Sequence, residues 1–134
     1  MIFIDSSAWY AAYVPSDPHH ESVLKFVRSN ARPIITSNFI VDETITLLLA
    51  RRERRRAIQF GNDVLVNKTV RLESVTVADL LEAYNILVRF SDKLWSFTDC
   101  TSYAVMRRLG INTALALDAD FQQMPGVAAL HLEQ

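Results

Sequence analysis

Apolar positions along the chain follow two rhythms. Short runs rich in β-branched and aromatic side chains, closed by polar or turn residues, predict buried strands over residues 2–5, 33–36 and 113–117. Residues 70–75 alternate apolar with polar and predict another strand. Residues 127–132 follow the Pro125-Gly126 turn as a last strand at an edge.

The longer segments have helical spacing. Ser6 or Ser7 is expected to cap a helix reaching about Val14, which Pro15 ends. Asp17 caps the next, with Pro18 at its first position and Val23, Leu24 and Val27 on one side. Ser37 or Asn38 opens a helix over residues 37–52, where Phe39, Ile40, Leu47 and Leu48 recur at helical intervals. Another runs from about Glu53 to Val66. Thr76 and Asp79 form a capping-box pattern for a helix to about Phe90, with Leu80, Leu81, Tyr84, Leu87 and Val88 as its apolar face. A last helix is expected from Thr98, as cap, to Gly110. Strands separated by helices imply an α/β fold: a short, mostly parallel central sheet covered by helices on both faces.

A length of 134 residues suggests one domain, residues 1–134, and half of them are apolar, enough for a core. The net charge of −1 means that any nucleic-acid contact must come from a local patch. One cysteine excludes an internal disulfide and fits a reducing, cytoplasmic setting. No apolar run approaches the roughly 18 residues of a membrane span.

Acidic residues change the picture. Asp5 and Asp118 each follow a buried-strand run, where an unpaired carboxylate is costly. Glu43 sits at helical spacing from Phe39, Ile40 and Leu47, near the apolar edge of its helix. Asp99 lies in a first helical turn, with Ser102 one turn on and able to hold a water. Each has a plain structural explanation: capping for Asp5 and Asp118, a surface carboxylate for Glu43, the helix dipole for Asp99. Gathered in one cleft, the four would repel each other and raise their pKa values unless a hard cation were present. An oxygen-only donor set suits Mg²⁺ or Mn²⁺. No Cys/His spacing supports zinc. Cys100 reads as a small core residue, and His19 and His20 as solvent-facing.

These motifs resemble those of the PIN-domain family and, within it, the small VapC-like ribonuclease toxins of toxin–antitoxin pairs. MIFIDSSAW resembles the family's opening strand with Asp5 as first acid, and IVDETITLLL the segment with Glu43 as second. SFTDCTSYAVMRRLGI supplies Asp99 as third, and TALALDADF supplies Asp118 as fourth, three residues before a phenylalanine. Ala116 stands where the family often has Thr or Ser, and Asp120 is a second carboxylate in the same motif; Asp120, Ser102 and Ser6 are alternate or supporting positions. The resemblance implies a metal-dependent endoribonuclease with Asp5 and Asp99 as primary ligands, Glu43 acting directly or through water, and Asp118 completing the set. It also implies a homodimer, and a small antitoxin whose C-terminal segment enters the acidic groove.

Arg51, Arg52, Arg54 and Arg55 fall in the run RRERRR, a solvated face or an RNA-binding rim. Two other readings compete. A haloacid-dehalogenase-type phosphatase needs a second Asp two residues after the first, where this chain has Ser7, and a response-regulator receiver needs a lysine after a late strand. A non-catalytic binding module would keep the fold without needing four acids.

Overall fold

The computed structural model describes residues 1–130 and 132. Five strands make one sheet in the order β3-β2-β1-β4-β5, with β1 at Ile2–Ile4, β2 at Ile34–Ser37, β3 at Arg71–Glu73, β4 at Thr113–Leu115 and β5 at Ala128–Ala129. Every pairing is parallel; Phe3 is registered with Ile35 on one side and Ala114 on the other.

Six α-helices connect the strands: α1 (Ser6–Tyr13), α2 (His20–Ser29), α3 (Asn38–Ala50), α4 (Arg54–Gly61), α5 (Val77–Arg89) and α6 (Phe97–Leu109). Successive residues of a strand face opposite sides of a sheet, and Ile2, Phe3 and Ile4 are all buried, so both faces of the centre are covered. Phe3, Phe60 and Phe121 are among the largest fully buried side chains of the core. The helices before β3 pack on one another, α1 against α2 and α3 and α3 against α4, while α5 and α6 pair in the long return from β3 to β4.

Several elements differ from the sequence expectation, each for a local reason. Asp5 itself caps α1, its side chain accepting from the Ser7 N–H, so the strand stops at Ile4. Asp17 accepts the His19 N–H in a turn, and α2 starts only at His20. Ser37 caps α3 and Thr76 with Asp79 closes a reciprocal capping box on α5, both as expected. The expected helix over 53–66 is two pieces, α4 and a π-helical turn at Asn62–Val66. The cap of α6 is Ser96, not Thr98, and Gly110 ends it at φ 68°, a backbone state open to glycine. The strand expected over 113–117 ends at Leu115, where Ala116 and Leu117 turn towards Asp118. The last strand is only Ala128–Ala129, and His131 lies outside the described residues.

The apolar face expected of α5 is turned round. Its buried positions are Asp79, Ala83 and Ile86, while Leu81, Tyr84, Leu87 and Val88 are exposed. Among the described residues no helix is long and apolar enough to cross a membrane.

Candidate metal centre

The strand order reverses at β1: its chain neighbour β2 lies on one side and the late strand β4 on the other. Ligands of open parallel sheets bind at such a point, outside the carboxyl ends of the strands. Asp5 immediately follows β1 there and is 1% exposed. Its N–H donates to the Leu115 carbonyl at 3.0 Å, extending the β1–β4 ladder to the site. Its Oδ2 accepts from the Ser7 hydroxyl at 3.0 Å, whereas its buried Oδ1 has no hydrogen-bond partner among the described residues. Burial is the main reason its pKa is pushed up to about 7, and the charges of Asp118 and Glu43 add to it.

Asp99 is the third residue of α6 and 6% exposed. It accepts the Ser96 N–H at 3.1 Å, while its own N–H donates to Ser96 Oγ at 3.0 Å. The helix dipole favours its anion, yet its pKa is pushed up to about 8. Burial is the largest cause, followed by a hydrogen bond with the Asp120 carboxyl and the charge of Asp5. Desolvation and like charge therefore outweigh the dipole here.

Asp118 stands at the exposed rim, three residues past β4, and accepts the Asp120 N–H at 3.2 Å. Its pKa is also raised, by burial of the carboxyl group and then by Asp120 and Glu43. Phe121, fully buried and stacked on Phe3 with ring centroids 6.5 Å apart, pins this turn to the sheet. Glu43, half-buried on α3, accepts a hydrogen bond from the Ser6 hydroxyl. Asp5 thus lies within electrostatic range of Glu43, Asp99 and Asp118, and Asp118 within range of Glu43. Asp120 joins them through Asp99, and Ser6 through Glu43. The Ser102 hydroxyl is buried one turn beyond Asp99 and has no hydrogen-bond partner among the described residues.

Sequence reasoning missed Ser7. Its hydroxyl donates to Asp5 and accepts the Leu117 N–H at 2.9 Å, tying the ends of β1 and β4 together. Nothing in the letters distinguishes it from Ser6, because the partner amide is 110 positions away. His20 is half-buried rather than solvent-facing, its Nδ1 2.7 Å from the Ala11 carbonyl oxygen, and Cys100 is buried as expected.

The residues fit a hard divalent cation in chemistry. The donors are all oxygen, their charges repel, and one buried Asp5 oxygen lacks a partner. Among the described residues no three ligand-type side chains are gathered tightly enough to close round an ion, so closure would require side-chain adjustment.

The arginine run lies away from these acids. Arg51 is eight residues beyond Glu43, roughly 12 Å along the helix direction. Its guanidinium lies over the Tyr10 ring at 4.7 Å. Arg54 lines an apolar groove of about 330 Å³ with Leu49, Ile58 and Leu65, and Arg52 and Arg55 are exposed.

An open parallel sheet with carboxylates converging at its switch point defines an α/β protein with an acidic ligand site at the carboxyl ends of its strands. More narrowly, the chain belongs to the PIN-domain family, whose profile matches residues 2–127. It is 41% identical over 122 residues to the 23S rRNA-specific endonuclease VapC20 of Mycobacterium tuberculosis, covering 90% of this chain and 92% of that one. It also matches the crystal structure of the same Mycobacterium tuberculosis protein, a sarcin-ricin loop cleaving toxin, at a TM-score of 0.86, with 37% identity and coverage of 91% and 93%. A toxin–antitoxin complex from Klebsiella pneumoniae, at TM-score 0.70 and 9% identity over 96% and 97% of the two chains, shares the fold.

Proposed function

We propose that this protein is a metal-dependent endoribonuclease, the toxin of a toxin–antitoxin pair, acting in the cytoplasm. The observation that carries the reading is the gathering of buried carboxylates at the switch point of the sheet, where Asp5 keeps an unpartnered Oδ1 among the described residues and lies near Asp99, Glu43 and Asp118. The 41% identity to an endonuclease of 23S rRNA supports it. Asp5 and Asp99 would hold a Mg²⁺ or Mn²⁺ ion, with Glu43 and Asp118 completing the set and Asp120 as the alternate to Asp118.

A bound ion supplies Lewis-acid polarisation of a phosphoryl group and lowers the pKa of water at the site. The chain's own residues prepare that place. Ser7 and the Leu115 carbonyl fix Asp5 on its strand end. Ser6 orients Glu43 from below. Ser96 holds the Asp99 carboxylate at the start of its helix, beside Asp120 and Asp5. With the cluster neutralised, the RNA backbone can approach acids that would otherwise repel it.

A ribosomal RNA loop is the first substrate to test, because the 41% identical relative acts on 23S rRNA. The partners are an antitoxin, whose segment enters the acidic groove, and a second copy of this chain. The exposed stripe Val77, Leu81, Tyr84 and Val88 on α5, flanked by Glu82 and Arg89, suits a self-complementary pairing.

The deciding experiment incubates purified protein with labelled ribosomal and total RNA in Mg²⁺ or in EDTA, beside Asp99→Asn. The expected result is discrete fragments from the wild type with metal alone. Equal cleavage in EDTA, or by Asp99→Asn, overturns the reading.

A further inference from the structure

The fold contains the same local motif twice, and the two copies end differently. At the start of α5, Thr76 and Asp79 form a reciprocal capping box; at the start of α6, Ser96 and Asp99 form another. In the first, Arg108 takes up the remaining capacity of the carboxylate, its Nε 2.8 Å and an Nη 2.9 Å from the two Asp79 oxygens. That box is closed and purely architectural. In the second, among the described residues, no cation is hydrogen-bonded to the carboxylate, and Asp99 lies beside Asp120 and Asp5 instead.

We propose that Ser96 is a positioning residue for the acidic site, an inference that rests on the metal-nuclease reading above. Its N–H engages Asp99 Oδ2 at 3.1 Å while its Oγ accepts the Asp99 N–H at 3.0 Å. Two bonds in opposite directions lock both the helix start and the carboxylate rotamer. One oxygen is committed to the cap, and the other is left for the cluster.

The lock is itself anchored. Trp95, the residue before the cap, is buried between Phe90 and Tyr103, with ring centroids 4.9 Å and 6.3 Å away. Tyr103, one turn beyond Asp99, donates its hydroxyl to the Pro125 carbonyl at 2.6 Å, beyond the turn that carries Asp118 and Asp120. The α6 cap therefore sits in a packed frame that links the carriers of three acids. Partners that orient a ligand carboxylate typically change metal affinity by about 10–100-fold when removed.

The test compares Ser96→Ala with Thr76→Ala, the equivalent deletion in the closed box, and with Ser96→Thr, which keeps a capping hydroxyl. Melting temperature is followed through a Mg²⁺ titration, and RNA cleavage is measured alongside. Both alanine variants should melt below the wild type. Only Ser96→Ala should raise the Mg²⁺ concentration giving the half-maximal rise, by about 10-fold, and Ser96→Thr should restore it. Should Ser96→Ala not fold, Ser96→Gly removes the same hydroxyl at a position where glycine is tolerated.

A normal wild-type response that the Ser96 variants leave unchanged overturns this inference alone. So does an equal shift in Thr76→Ala. A wild type with no Mg²⁺-dependent rise overturns the metal reading and this one with it.

Discussion

At the scale of single residues, the chemistry of Asp5 and Asp99 is governed by burial. Both have folded-state pKa values raised above 3.8, to about 7 and about 8. The folded protein therefore binds more protons than the unfolded chain between about pH 4 and pH 8, and its stability falls as pH rises through that window. Without divalent metal the protein should melt at a higher temperature near pH 5 than near pH 8. Asp5→Asn, which removes a buried charge while keeping an acceptor for Ser7, should flatten that profile and stabilise the metal-free protein at pH 8 by roughly 1–3 kcal/mol. Thermal melts from pH 4.5 to 8.5 check this, and a slope that Asp5→Asn leaves unchanged excludes Asp5 as its source. Divalent cations compete with those protons, so Mg²⁺ should bind more tightly at pH 8 than at pH 6. Isothermal titration at the two values measures it.

At the scale of elements, two contacts hold the acid carriers in place. Arg108 joins the end of α6 to Asp79 at the start of α5 and to Glu73 on β3. Arg108→Ala should cost about 1–3 kcal/mol; the half-exposed arginine moderates the penalty of leaving Asp79 buried and unpaired. Urea denaturation measures the loss, and an unchanged midpoint would reduce the ion pair to a surface contact. Phe121→Ala empties a fully buried site under the turn of Asp118 and Asp120, and should cost about 3–5 kcal/mol. It should also depress cleavage at temperatures where the protein is still folded, because that turn loses its anchor to Phe3.

The element scale is also where the letters were readable and where they were not. Thr76 and Asp79 were legible because both halves of the box lie three residues apart in front of an apolar run. Ser96 and Asp99 have the same spacing, but Thr98, adjacent to the acid, is an equally good capping residue by type. The helix α5 was legible as a helix and not as an orientation. A stripe of Leu81, Tyr84 and Val88 looks the same whether it meets this chain's core or a surface outside it. Asp5, Asp99 and Asp118 stood out as strand-end and helix-start residues and Glu43 by its spacing from apolar neighbours, whereas the part played by Ser7 depends on an amide brought from 110 residues away.

At the scale of the whole molecule, the exposed stripe of α5 bears on assembly. Leu81→Glu should leave the monomer's stability near that of the wild type, since the side chain is 64% exposed, and should shift a dimer towards monomer. Sedimentation velocity across a concentration series distinguishes the two; identical profiles would move the pairing surface elsewhere. The run of Arg51 to Arg55 is tested at the same scale. Replacing Arg54 and Arg55 by alanine should flatten the salt dependence of RNA binding if the run meets the backbone.

The central pairing of β1 with β4 has a consequence in time. Phe3 and Ala114, its registered partners, are separated by more than a hundred residues, and closing such a loop comes late in folding. Asp5 is made first, yet Glu43 is its only acidic company until the late strand is laid beside it. A chain that has built only its first three strands carries Asp5 and Glu43 but neither Asp99 nor Asp118 in place. Topology thus makes the proposed acidic site depend on the longest-range pairing of the sheet: the four carboxylates are together only once β4 lies beside β1.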